Sequence, residues 1–119
     1  DQRAVKELRD GLSRGVTVDG CNIVRLAKSL YITRAVAASV KDPIWKYKWV
    51  ENTEPELFKK VRCWLDVKEY LIHRCCGEFV MTADSAFSTM LYDIRKGREG
   101  FSRSMCDMLG VRYAHLPRL

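Results

Sequence analysis

Apolar residues recur at helical spacing along most of the chain. Val5, Leu8 and Leu12 predict a helix over Arg3–Leu12, with Gly11 and Gly15 weakening its end. After a loop at 16–20, Asp19 or Asn22 can cap a second helix over Ile23–Val40. Its face holds Leu26, Leu30, Thr33 or Arg34, and Ala37, widened by Ile23, Ala27 and Tyr31. Asp42-Pro43 opens a third helix, an N-cap followed by proline at the first helical position. Trp45 and Trp49, four apart, share one side of it. Thr53-Glu54-Pro55-Glu56 is a helix start of the capping-box kind, with Leu57, Phe58 and Val61 apolar after it.

The second half is punctuated more clearly. Val61–Leu65 favours β structure and reads as a short strand or extended linker. Asp66 caps a helix over Val67–Cys76, and Gly77 is its stop. Phe79–Thr82 is extended. Thr82 or Asp84 caps a helix to about Ile94, with Phe87, Met90, Leu91 and Ile94 toward the core. Gly97 and Gly100 frame a turn, Phe101–Leu109 is the last helix, Gly110 stops it, and 111–119 is a tail. The expected fold is mostly α, with about six helices and at most two short strands, packed as ridges in grooves. No internal repeat or low-complexity segment interrupts it.

At 119 residues the chain is one domain or part of one. It begins at Asp1 without a methionine, which fits a fragment or a processed product. No apolar run approaches a membrane span, and the start has no signal-peptide pattern. The formal charge of +6 is compatible with anionic partners. Acids are interleaved with the bases, however, as in Lys68-Glu69 and Arg98-Glu99, which argues for a solvated surface over a nucleic-acid footprint. The five cysteines, 21, 63, 75, 76 and 106, are odd in number and lack Cys-x-x-Cys spacing. They read as buried free thiols in a reducing cytoplasm.

Candidate chemistry is sparse. His73 and His115 have no second histidine at ligand spacing. Glu78 and Asp84 imitate an acid/base pair, but one follows a helix-ending glycine and the other is a plausible cap. Ser85 and Ser88 have no local base. Asp42 reads first as an N-cap, and Trp45 and Trp49 first as core aromatics. The Trp-Lys-Tyr-Lys-Trp run is a weak signal for nucleic acid or membrane.

Several motifs in fixed order resemble one family. Tyr70-Leu71-Ile72-His73-Arg74-Cys75-Cys76-Gly77-Glu78, followed by Ser85 to Asp93, is similar to a stretch of the FGGY-type carbohydrate kinases, which include xylulose, ribulose, gluconate and glycerol kinases. Asp1-Gln2-Arg3-Ala4 resembles the end of that family's tryptophan-x-aspartate-x-arginine element. Lys41 to Val50 resembles its lysine-aspartate helix with a later tryptophan, Asn52 to Phe58 its asparagine-x-proline-glutamate stretch, and Met108 to Leu119 its leucine-proline close. Cys75 and Cys76 stand where leucine and threonine are usual, and Thr82 where aspartate is usual, which leaves the subfamily and its sugar open.

The resemblance implies that residues 1–119 are a helical part of the N-terminal, actin- and ribonuclease-H-like domain of a sugar kinase. Such kinases transfer the γ-phosphoryl of ATP to a sugar or polyol hydroxyl with magnesium and an aspartate base. The resemblance places the phosphate-gripping turn before this stretch and the catalytic Gly-x-x-Asp turn after it, and neither motif occurs here. The segment is therefore expected to be inactive alone and to bind neither ATP nor magnesium. Its expected sugar-side residues are Asp1 and Arg3, Lys41 and Asp42, with Trp45 stacking on a sugar face. A pentulose such as xylulose is the expected substrate of the cytoplasmic parent, and the rest of the kinase chain its partner, with a homodimer left open. The alternative is a free-standing basic helical module that docks on nucleic acid or an acidic protein. A kinase-derived pseudoenzyme is a third reading.

Overall fold

The computed structural model describes residues 3–18 and 20–119. Seven α-helices follow one another: α1 Val5–Leu12, α2 Ile23–Ile32, α3 Pro43–Thr53, α4 Pro55–Phe58, α5 Val67–Cys76, α6 Ala83–Ser88 and α7 Arg103–Leu109, with a 3₁₀ turn at Tyr113–His115. Two antiparallel pairs of two-residue strands complete the described residues: β1 Thr17–Val18 with β2 Cys21–Asn22, and β3 Tyr92–Asp93 with β4 Gly100–Phe101. They pack into a slab of 45 × 37 × 21 Å, about two helix diameters thick. The mostly helical expectation holds, with more and shorter elements than the periodicity suggests.

Capping chemistry sets several boundaries. Asn22 Oδ1 accepts from the N–H groups of Val24 and Arg25, so Asn22 starts α2; Asp19, the other expected cap, lies outside the described residues. Asp66 starts α5, and Gly77 ends it at φ 76°. Ser102 starts α7 by accepting from Met105 N–H at 3.3 Å, so the two residues before Arg103 are free to form β4.

Two helices are shorter than expected. α2 stops at Ile32 rather than Val40. The Thr33 hydroxyl engages both Ser29 O and Ala35 O, Arg34 turns to φ 58°, and Ile32 O is taken by Ile94 N–H. α6 stops at Ser88 rather than Ile94. Thr89 donates to Ala86 O and accepts from Leu91 N–H, and Met90 turns to φ 61°. Leu91 is then buried, while Phe87 and Ile94, expected in the core, are exposed. The segment 61–65 is the extended linker, without ladder pairing, and Trp64 N–H donates to His115 O. Phe79–Thr82 is extended and bridges the tail in parallel at Val80 and Arg118.

The core joins α1, α3, α7 and the tail through Leu12, Ile44, Trp45, Tyr47, Phe58, Leu91, Met105 and Val111. In α1 the buried side is Ala4, Glu7 and Leu12, while Val5 faces solvent at 60% exposure. The cysteines correct another expectation. All five are free, but only Cys106 is buried, and Cys75 and Cys76 are exposed because they end α5 on its outer side. Among the described residues no helix is long and apolar enough to cross a membrane.

Candidate functional site

α3 organises the only part of the described surface where several of the expected site residues gather. Pro43 at its first position follows Asp42 at the N-cap, as the sequence predicts. The Asp42 carboxylate turns backward, however, and accepts from Ser39 N–H at 2.9 Å instead of from the first helical turn. It thereby closes the loop that carries Lys41, whose own N–H donates to Ser39 Oγ at 3.2 Å. Lys41 is exposed and Asp42 half-buried at the mouth of the helix.

Trp45 sits one turn into α3 with 0% of its surface exposed. Its indole N–H donates to Ala37 O at 2.9 Å, and its ring lies against Gly11 in α1. A Cβ at Gly11 would overlap that ring, so the glycine permits close approach of α1 to α3. This corrects the expectation of a sugar-stacking platform. A ring with no open face cannot stack on a ligand, and Trp45 is a core aromatic. Trp49, on the same side one turn later, is half-buried beneath Arg3, whose guanidinium carbon lies 4.3 Å from the ring centroid. Arg3, Lys46 and Trp49 surround a small hollow of about 100 Å³. Arg3 therefore meets α3 about 10 Å along the helix from Asp42, at 1.5 Å of rise per residue. Asp1 lies outside the described residues.

A larger hollow of about 240 Å³ opens on another face of α3, between α1 and the end of α7. Glu7, Asp10, Arg25, Lys48 and Asn52 reach it. Asn52 donates to Glu7 Oε1 at 3.2 Å. Lys48 pairs with Glu51 and donates to Gly110 O at 3.1 Å, and Arg25 donates to Gly11 O. None of these residues was expected at a site. The one sequence signal was an acid, Glu7, on the helical face shared with Ala4 and Gly11, where an apolar side chain would ordinarily pack.

The other candidates resolve into structure. His115 is buried and its Nδ1 lies 2.9 Å from Tyr47 Oη, which also accepts from Arg112 N–H at 3.2 Å. Arg112 N–H takes one lone pair of the phenol oxygen, and the same hydroxyl pairs with the imidazole at Nδ1. Burial pushes the His115 pKa down and the Tyr47 pKa up. His73 stacks on Phe79 with ring centroids 4.1 Å apart. Asp84 is exposed, and the Thr82 hydroxyl and Lys68 ammonium hold its carboxyl down at about 2. Glu78 lies 3.8 Å from Arg118. Asp93, at the end of the family-like stretch, is clamped by both Arg95 nitrogens at 2.9 and 2.6 Å, which keeps its carboxyl below the usual range. Among the described residues no three of His, Cys, Asp or Glu gather as a metal site.

The model of the N-terminal domain of the FGGY family of carbohydrate kinases matches residues 22–119. The chain belongs to that family. Among its relatives, the L-fuculokinase of Escherichia coli K12 is 28% identical over 100 residues, 82% of this chain and 21% of its own length. The xylulose kinase of Bacillus subtilis 168 is 35% identical over 66 residues, 56% of this chain and 13% of its own. The crystal structure of a ligand-bound xylulose kinase from Lactobacillus acidophilus superposes with a TM-score of 0.75 at 23% identity, over 99% of this chain and 22% of that one. The fold is thus that of a helical stretch of a sugar kinase. This FGGY chain spans about a fifth of the length of the L-fuculokinase it matches.

Proposed function

We propose that the chain is the helical flank of the sugar-binding N-terminal domain in an ATP-dependent, cytoplasmic carbohydrate kinase that phosphorylates a pentulose such as xylulose. The observation that carries this reading is the family match across residues 22–119, with a xylulose kinase among both the sequence and the structural relatives. Asp1, Arg3, Lys41 and Asp42 stand on the sugar side, the carboxylates accepting from and the cations donating to hydroxyls. Trp45 supports them from the core. The exposed apolar residues of α2 and α5, such as Val24 and Leu71, are where the remainder of the kinase chain packs.

ATP supplies the phosphoryl group and magnesium its charge neutralisation in this chemistry. The residues of this chain do not fit that pair. Its sequence contains no Gly-x-Asp-x-Gly-Thr, Gly-x-x-x-x-Gly-Lys or Gly-x-x-Asp turn. No transfer step runs through these side chains, and their part is to bind and orient.

The test is an ADP-release assay on the protein encoded by the complete reading frame, with ATP and xylulose, ribulose, fuculose, gluconate and glycerol in turn. Release that depends on a ketopentose is expected. Release with none of the five, together with steeply salt-dependent binding to DNA or heparin, would establish the basic binding module instead.

A further inference from the structure

The hollow between α1, α3 and the end of α7 has the chemistry of a binding site, on a different side of α3 from Arg3 and Lys46. Glu7 is 7% exposed, and its Oε2 has no hydrogen-bond partner among the described residues. A buried carboxylate oxygen left without a donor is costly, so a native structure that retains one has a reason for it. The nearby cations do not supply that donor. Arg25 is committed to Gly11 O and Lys48 to Glu51 and Gly110 O.

The lining decides the class of ligand. Three acids, Glu7, Asp10 and Asp107, and two cations, Arg25 and Lys48, line it, so a bare anion meets three like charges and a bare cation two. A hydroxyl both donates to carboxylates and accepts from ammonium or amide, and it carries no charge. The volume of about 240 Å³ equals the share of about eight waters in the liquid, below the usual range for drug-sized ligands. That suits a small polyol.

We propose that this hollow binds a small neutral polyol, with Glu7 and Asp10 accepting from its hydroxyls and Lys48 donating to one of them. Asn52, which is exposed, covers the Glu7 carboxylate, and its amide swings aside as a ligand hydroxyl takes its place. The site is distinct from the sugar side proposed above and does not need the kinase reading to hold.

Xylitol titrated into the ¹⁵N-labelled full chain tests this, read on the Trp45 indole and Asn52 side-chain amide signals. Saturable shifts are expected. Glu7→Gln should weaken binding about tenfold or more, the effect of losing one charged acceptor. Asp10→Asn, at the half-exposed rim, should weaken it severalfold and decides the matter if the Glu7 variant does not fold, while Lys96→Gln on a distant surface should leave it unchanged. Shifts that do not saturate, equal affinity in the carboxylate variants, or the same shifts with ammonium or potassium chloride would overturn the proposal. Xylitol binding without sugar-dependent ADP release would sink the kinase reading and leave this one. Sugar turnover without xylitol binding here would do the reverse.

Discussion

Helix α2 carries the cleaner amphipathic pattern of two neighbouring helices, yet Ile23, Val24, Leu30 and Tyr31 on it stand exposed. In α3, lysines alternate with aromatics and the apolar pattern is blurred, yet Ile44, Trp45 and Tyr47 are buried. The reason is position in the slab. α3 lies between α1 and the aromatic cluster of Phe58, Trp64 and His115, so more than one of its sides is covered. α2 lies against α7, and Ile23, Val24, Leu30 and Tyr31 stay outside that contact. Periodicity shows which side of a helix is apolar, whereas coverage depends on what packs there.

The sharpest way to break this contrast is at Trp45. Trp45→Ala should cost about 3–5 kcal/mol, as for other buried large aromatics. Gly11→Ala should also destabilise by more than about 1 kcal/mol despite alanine's better helix propensity, because the new methyl meets the Trp45 ring. Urea unfolding of both variants measures these effects, and a neutral Gly11→Ala would show that α1 and α3 are not in close contact.

Next in size is Tyr47→Phe. It strips His115 Nδ1 and Arg112 N–H of the oxygen they share, at a cost of about 1–3 kcal/mol for buried groups left unsatisfied. Thermal unfolding beside wild type reads it directly.

A pH series sharpens the same region. Because burial lowers the His115 pKa, the folded chain binds this proton less readily than the unfolded one. The His115 contribution is complete above the ordinary histidine range and is lost as pH falls below about 6.5. Its slope is at most about 1.4 kcal/mol per pH unit, the limit for one proton. Melting temperature should drop more steeply with acid in wild type than in His115→Phe; parallel curves would contradict the assignment.

The smallest effect belongs to α2. In residues 1–119 alone, Val24→Thr, at a residue 74% exposed, should change stability by no more than about 0.5 kcal/mol. A larger loss in the same denaturant series would mean that this side of α2 is covered in solution.

Much of the fold was legible where a local rule acts alone. Asp66 and Gly77 bound α5, Pro43 opens α3, and Gly110 ends α7, because caps and glycine turns depend on neighbours in sequence. The ends of α2 and α6 were not legible. Thr33 with Arg34, and Thr89 with Met90, stop helices whose apolar pattern runs on, and long-range bonds hold the result: Ile94 N–H to Ile32 O and Ser102 N–H to Leu91 O. Of the expected sugar-side residues, Arg3, Lys41 and Asp42 could be placed around α3. Trp45 is the core aromatic that its spacing first suggests, and its second expected role, stacking on a sugar, falls because the ring is enclosed. Glu7 was passed over because a lone acid in a helix ordinarily points to water.

The residues themselves determined the family, the helical class and the local caps, since these depend on identity and spacing along the chain. Only the tertiary structure decided that Trp45 is enclosed, that Val5 and Tyr31 are not, and that Glu7, Asp10, Lys48 and Asn52 share one hollow. Burial and convergence are properties of how helices cross in space, and residues as far apart as Glu7 and Gly110 meet only when they do.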